Sequence, residues 1–196
     1  MKDSQITDKN TRSKVKNMIA VLLADGFEEI EAIAPIDILR RAGLDVKTVG
    51  INSKIVVGSH GIATVADLTA DEVDTSKITL TVLPGGMPGT LNLHASEFTD
   101  KIIDATLKNG GRLAAICAAP LILGRRGLLS GKRAVCYPGF EDELSGAIID
   151  TVPVVTDGNI TTARGAGVAL EFGAELVSLI CEKDKSDALL AAMMKP

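Results

Sequence analysis

The run Met18–Ala24, MIAVLLA, carries no polar residue. A stretch so short and so apolar marks a strand buried on both faces, which demands a sheet covered on either side. The pattern recurs: Ile78–Leu83 (ITLTVL), Arg112–Ile116 (RLAAI) and Asp45–Gly50 read as further strands. Helical stretches lie between them. One runs from about Glu28 to Ala42 and is closed by Gly43; another, about Glu97–Asn109, stops at Gly110-Gly111. Ala118–Arg126 tolerates Pro120 in its first turn, and Val168–Cys181 repeats Val168, Phe172, Leu176 and Leu179 at helical spacing. This alternation predicts an α/β fold with a mostly parallel sheet and helices on both faces. Around that frame, Ile55–Val57 and Ala63–Ala66 read as a short antiparallel excursion and Ala134–Cys136 as a short strand. Pro153–Thr156 and Asn159–Ala163 flank a hairpin turn at Asp157-Gly158, and Ser186–Met193 reads as a last helical turn or two capped by Ser186.

Residues 1–17 hold seven charged side chains and almost no apolar ones, which predicts a disordered polar tail before one domain over 18–196. Met18 is where the folded unit is expected to begin. No apolar run approaches the ~20 residues of a membrane span, and no h-region of a signal peptide precedes the first strand. Three cysteines at uneven spacing form no disulfide framework. A cytoplasmic protein with reduced thiols is the expectation. With no CxxC and only His60 and His94 to supply imidazole, no metal site is expected. Nor is a nucleic-acid partner: aromatics are 3% of the chain, and 21 Lys and Arg stand against 25 Asp and Glu.

Three segments gather at the carboxyl ends of the expected strands, where sites of such sheets lie. In Ala115-Ile-Cys117-Ala-Ala-Pro120 a strand runs straight into a cysteine and a helix follows at once, the geometry of a nucleophile elbow. The helix N-terminus favours negative charge, so Cys117 is expected to be partly thiolate near neutral pH; Cys136 and Cys181 read as ordinary packed thiols. The loop Leu83-Pro-Gly-Gly-Met-Pro-Gly89 can turn backbone N–H groups toward a ligand, and with the Ala118 N–H it could hold an oxyanion. It is no phosphate loop, because no Gly-Lys-Ser/Thr follows. In Asp25-Gly-Phe-Glu-Glu-Ile-Glu31, Glu28 and Glu29 read as complements to the helix dipole. Glu31 differs, because Ala32, Ile33, Ala34, Ile36 and Ile38 follow it, and Pro35 removes the N–H its carbonyl would use. A carboxyl half buried there is expected to hold its proton.

Taken together with Thr162-Ala-Arg-Gly-Ala-Gly167, these segments resemble the ThiJ/PfpI superfamily, and more closely its DJ-one branch, from Met18 to about Cys181. The resemblance implies a flavodoxin-like three-layer sandwich, a homodimer and a cofactor-free site. It implies Cys117 as nucleophile, Glu31 as its hydrogen-bond partner and proton shuttle, and Gly86 and Ala118 as backbone donors. Gly85, Met87, Tyr137, Arg164, Gly165 and Ala166 would line the site, with the Arg164-Gly165-Ala166 turn reaching it across the dimer interface. The peptidase-like and chaperone-like branches place His directly after the cysteine, where this chain has Ala118. The class I glutamine amidotransferases add a late His and Glu that are absent here. One departure concerns the branch itself: many glyoxalase-active members carry His before a Pro, where this chain has Tyr137 before Pro138. A phenol with pKa near ~10 is a poor proton shuttle at pH 7.

Two functions follow as expectations. The first is a glyoxalase or deglycase converting glyoxal, methylglyoxal or their early adducts through Cys117. The second is an oxidative-stress sensor or chaperone-like protein with little turnover, using oxidation of the same thiol. Thiazole-phosphate synthesis and proteolysis, older labels in the superfamily, lack the phosphate loop and the adjacent Cys-His they would need.

Overall fold

A computed structural model describes residues 17–194, so the expected polar tail lies outside the described residues except for Asn17. The chain runs β1 (Met18–Leu23), α1 (Glu29–Arg41), β2 (Asp45–Gly50), β3 (Ile55–Val57), β4 (Ala63–Val65), β5 (Leu68–Thr69), β6 (Ile78–Leu83), α2 (Gly89–His94) and α3 (Glu97–Lys108). It continues through β7 (Arg112–Ile116), α4 (Pro120–Arg125), β8 (Arg133–Ala134), β9 (Ile148–Ile149), β10 (Val154–Asp157), β11 (Ile160–Ala163), α5 (Ala169–Cys181) and α6 (Lys183–Ala192).

Seven strands form one sheet in the order β10-β11-β7-β6-β1-β2-β5. Every pairing in it is parallel except the β10–β11 hairpin, where Asp157 pairs with Ile160 across the turn. The α/β expectation, with a mostly parallel sheet, therefore holds. Because side chains alternate across a strand, β1 divides its apolar run between two cores. Met18, Ala20 and Leu22 pack with Ile102 and Ile103 of α3 and Leu121 and Ile122 of α4. Ile19, Val21 and Leu23 pack with Ile36 and Leu39 of α1 and Phe172 and Leu176 of α5. Three layers result. A side chain on Gly173 would stand 3.0 Å from the Pro35 Cα, so this glycine is what lets α5 lie close against α1.

Several local expectations need correction. Ser186 does not cap the last helix. It lies inside α6, buried, and its hydroxyl donates to the Ala174 carbonyl at 2.7 Å, stitching α6 to α5. Helix α4 begins at Pro120 rather than Ala118, because Ala118 and Ala119 form the turn that leaves the elbow. Cys136 sits just past β8, not in it, and α2 was not foreseen. Among the described residues no helix is long and apolar enough to cross a membrane.

Candidate active site

Cys117 occupies the residue after β7 with φ of 65°. That is the left-handed region, which costs a non-glycine residue about 1–3 kcal/mol and persists only where the surroundings enforce it. They do so on both sides. The Cys117 N–H donates to the Ala163 carbonyl at 2.9 Å, and the Cys117 carbonyl accepts from Tyr137 N–H at 2.8 Å. The elbow is thus pinned to the end of β11 and to the segment bearing Tyr137. Its sulfur faces the N–H groups of Gly86 and Ala118, the two donors expected from the sequence.

Glu31 arrives from the first turn of α1, which Glu28 opens by accepting the Glu31 N–H at 2.7 Å. The helix passes unbroken through Pro35. The Glu31 side chain is only 1% exposed, more deeply buried than expected. Its Oε2 accepts from Gly85 N–H at 3.1 Å, its carboxyl meets the Cys117 thiol in a hydrogen bond, and the Ala166 N–H also faces it.

Gly85 has no alternative in this space. A methyl group there would lie 2.5 Å from Glu31 Oε2, 2.6 Å from Cys117 Cβ and 2.8 Å from the Ile116 carbonyl oxygen. Gly86, at φ 89°, crowds the 26–28 segment in the same way. The loop therefore closes on the pair because both residues lack side chains.

Burial, and then the nearby Glu28 carboxylate, push the Glu31 carboxyl up to about 7; the hydrogen bonds from Cys117 and Gly85 oppose this. The Cys117 thiol is pushed up to about 12, by burial first and the Glu31 charge second, against the Gly86 and Ala118 N–H groups. This corrects the expectation of a thiolate made by the helix end alone. The thiol is half-buried, and α4 is short, starting three residues on. The first proton to leave the pair, at about 7, is the carboxyl's, and the charge left on Glu31 helps to keep the thiol protonated.

Tyr137 and the Arg164–Ala166 turn flank the pair. A side chain on Gly165 would stand 3.4 Å from the Tyr137 ring and 3.8 Å from Glu31 Oε1. The turn therefore reaches the site from its own chain and not, as expected, across a dimer interface. Arg164 and Met87 are both exposed. Tyr137, Arg164, Gly165 and Ala166 line an open depression of about 400 Å3, whereas Met87 and Gly85 do not.

Glu29 is the residue that sequence reasoning undervalued. It is buried, and its carboxylate takes the His60 N–H at 2.8 Å, His60 Nδ1 at 2.7 Å and the Ser59 hydroxyl at 3.3 Å. Burial opposes its charge, yet these bonds hold it down at about 2. It ties the β3–β4 hairpin to the start of α1, a link between residues 30 apart that no local pattern shows. Glu28, Glu29 and His60 are the metal-ligating residue types that meet among the described residues, with ligand atoms within 4.8 Å of one another. The Glu29 carboxylate is already occupied by the hairpin.

A family model for the DJ-1/PfpI family matches residues 17–179. The Drosophila melanogaster protein dj-1beta is 36% identical over 168 residues, covering 84% of this chain and 90% of its own. Its crystal structure superposes with a TM-score of 0.86 at 33% identity, over 92% of this chain and 99% of that one. A protein named deglycase from Pyrococcus abyssi is 34% identical over 83% of this chain and 98% of its own. A Caenorhabditis elegans protein named glutathione-independent glyoxalase is 29% identical over 89% of this chain and 94% of its own.

Proposed function

The chain belongs to the DJ-1/PfpI family, and on that premise we propose that it is a cofactor-independent enzyme of glyoxalase or deglycase type. Its substrates would be glyoxal, methylglyoxal or their early adducts. One observation carries the reading: a half-buried thiol at a strained elbow meets a proton-holding carboxyl and two backbone N–H donors in one small space. The relatives named deglycase and glyoxalase support the same class.

The chemistry follows from the pair. Glu31 takes the Cys117 proton, and the thiolate adds to the aldehyde carbon. The oxygen of the resulting hemithioacetal lies between the Gly86 and Ala118 N–H groups, where the charge that develops is held. Glu31 returns its proton to that oxygen and, as carboxylate, removes the hydrogen from the same carbon. An enediolate forms. The hydroxyl proton passes to the former ketone oxygen and Glu31 delivers its proton to the carbon that bears it, leaving a hydroxyacyl thioester that water cleaves to the 2-hydroxy acid and the free thiol. A carboxyl titrating at about 7 can both give and take a proton at neutral pH. Glu31 thus performs the transfers for which a His at the Tyr137 position would otherwise be sought.

The homodimer implied by the sequence has an apolar face available, in Ile30 and Ile33 of α1 with Ile62 beside them, all exposed. A face of that character on a structured helix is suited to a second copy.

Proton NMR of methylglyoxal with the wild type and Cys117→Ala, free of glutathione and amine buffers, tests the function. Lactate is expected at a catalytic rate from the wild type and at the uncatalysed rate from the variant. Equal lactate from both, or none from a folded wild type with a reactive thiol, overturns the reading. The second outcome would make selective oxidation of Cys117 the function to pursue.

A further inference from the structure

The depression walled by Tyr137 and the Arg164–Ala166 turn, which flank the Glu31–Cys117 pair, is much larger than a three-carbon aldehyde needs. At about 400 Å3 it falls in the range of sites that hold far bulkier ligands. Its walls of Pro138, Pro153, Val168 and the Tyr137 ring are apolar, and Arg164 stands at its rim. On its inner edge Gly165 lies between the Tyr137 ring and Glu31, where an added methyl would meet both at 3.4 and 3.8 Å.

Arg164 has little else to do. Its guanidinium makes one long contact, 3.5 Å, to the Thr151 carbonyl, and among the described residues no carboxylate is paired with it. Glu141 and Arg164 both act on the Cys136 thiol, the carboxylate raising it and the guanidinium lowering it. The Glu141 carboxylate accepts the Gly139 N–H at 2.7 Å. An apolar depression with this guanidinium in its lining, sharing Tyr137, Gly165 and Ala166 with the surroundings of the Glu31–Cys117 pair, fits a carbon chain that ends in an anion.

We propose that this depression receives the substituent of the substrate, and that the preferred substrates are 2-oxoaldehydes whose chain ends in a carboxylate bound by Arg164. This rests on the glyoxalase reading above. The reaction balances without an outside oxidant: the aldehyde carbon is oxidised to a carboxylate as the adjacent ketone carbon is reduced to an alcohol, with one water added. For 4,5-dioxopentanoate the product is 2-hydroxypentanedioate.

The kcat/KM of the wild type for 4,5-dioxopentanoate is expected to exceed that for methylglyoxal by about tenfold or more, the worth of one charge-assisted contact. Arg164→Ala collapses that ratio through KM, and Arg164→Lys restores part of it. A wild-type ratio near one, or a ratio that Arg164→Ala leaves in place, overturns the proposal. A second readout does not need turnover. The unreactive 4-oxopentanoate should slow alkylation of Cys117 by iodoacetamide in the wild type and not in Arg164→Ala, whereas pentan-2-one should protect neither. Protection without methylglyoxal turnover keeps the carboxylate subsite and removes the glyoxalase function. Turnover without protection or preference does the reverse.

Discussion

Glu31→Gln is expected to lose turnover of methylglyoxal by about 10²–10⁴-fold while becoming more stable than the wild type at pH 8. The loss is that of a group which moves the proton at three points of the reaction, the range spanned by positioned acids and bases. The gain has the opposite sign because the folded protein holds the Glu31 carboxyl at about 7, above its ordinary 4.5. A carboxyl raised on folding contributes its full stability below pH 4.5 and loses it as pH climbs through 7. By pH 8 the buried carboxylate costs about 3 kcal/mol relative to the protonated form. Glutamine is never ionised and still presents an oxygen to the Gly85 N–H. Urea unfolding at pH 5 and pH 8 checks this: the two proteins should differ little at pH 5, and the variant should lead by up to that amount at pH 8. A constant difference across pH would show that Glu31 titrates as an ordinary surface carboxyl.

Gly85→Ala should cost nearly as much activity for a purely steric reason. The added methyl has its closest neighbours in Glu31 Oε2, Cys117 Cβ and the Ile116 carbonyl, so it must push apart the two side chains whose contact is the site. Backbone conformation is not the obstacle, since Gly85 does not share the positive φ of Gly86. Overpacking of this kind costs about 1–3 kcal/mol of stability. A displacement near 1 Å at the reacting groups costs about 10²-fold in rate. The variant should fold, melt a few degrees lower and turn over methylglyoxal at about 1% of the wild-type rate or less. Activity within threefold of wild type would mean that the Glu31–Cys117 contact is not what catalysis uses.

Much of this was legible in the chain, for reasons that differ by residue. Apolar runs buried on both faces fix β1 and β6, because nothing but a covered strand accommodates them in six residues. The small residues Ala115, Ala118 and Ala119 around Cys117 betray the elbow, since a left-handed nucleophile between strand and helix leaves little room. An acid opening an apolar helix face singled out Glu31. What escaped was set by contacts between distant segments. Glu29 looks like any acidic residue of a first helical turn until Ser59 and His60 arrive from the β3–β4 hairpin. Ser186 reads as a cap until α6 packs on α5 and offers it the Ala174 carbonyl. Helix α2, GTLNLH, is too short and too weakly patterned to announce itself after Pro88. The thiol was misjudged most. Local position at a helix start favours the thiolate, but burial and the Glu31 charge outweigh it, and neither is a local property.

That reversal makes the pH dependence of Cys117 alkylation the most direct measurement of the Glu31–Cys117 pair. Iodoacetamide reacts with the thiolate, and the residue modified is read by mass spectrometry. In the wild type the rate should stay low through pH 9, because burial and the Glu31 charge hold the thiol well above its ordinary 9.0. In Glu31→Gln the rise should move to lower pH, because the charge that raises the thiol is gone and burial alone remains. A wild-type rise at or below 9 that Glu31→Gln leaves in place would contradict the coupling of these two residues.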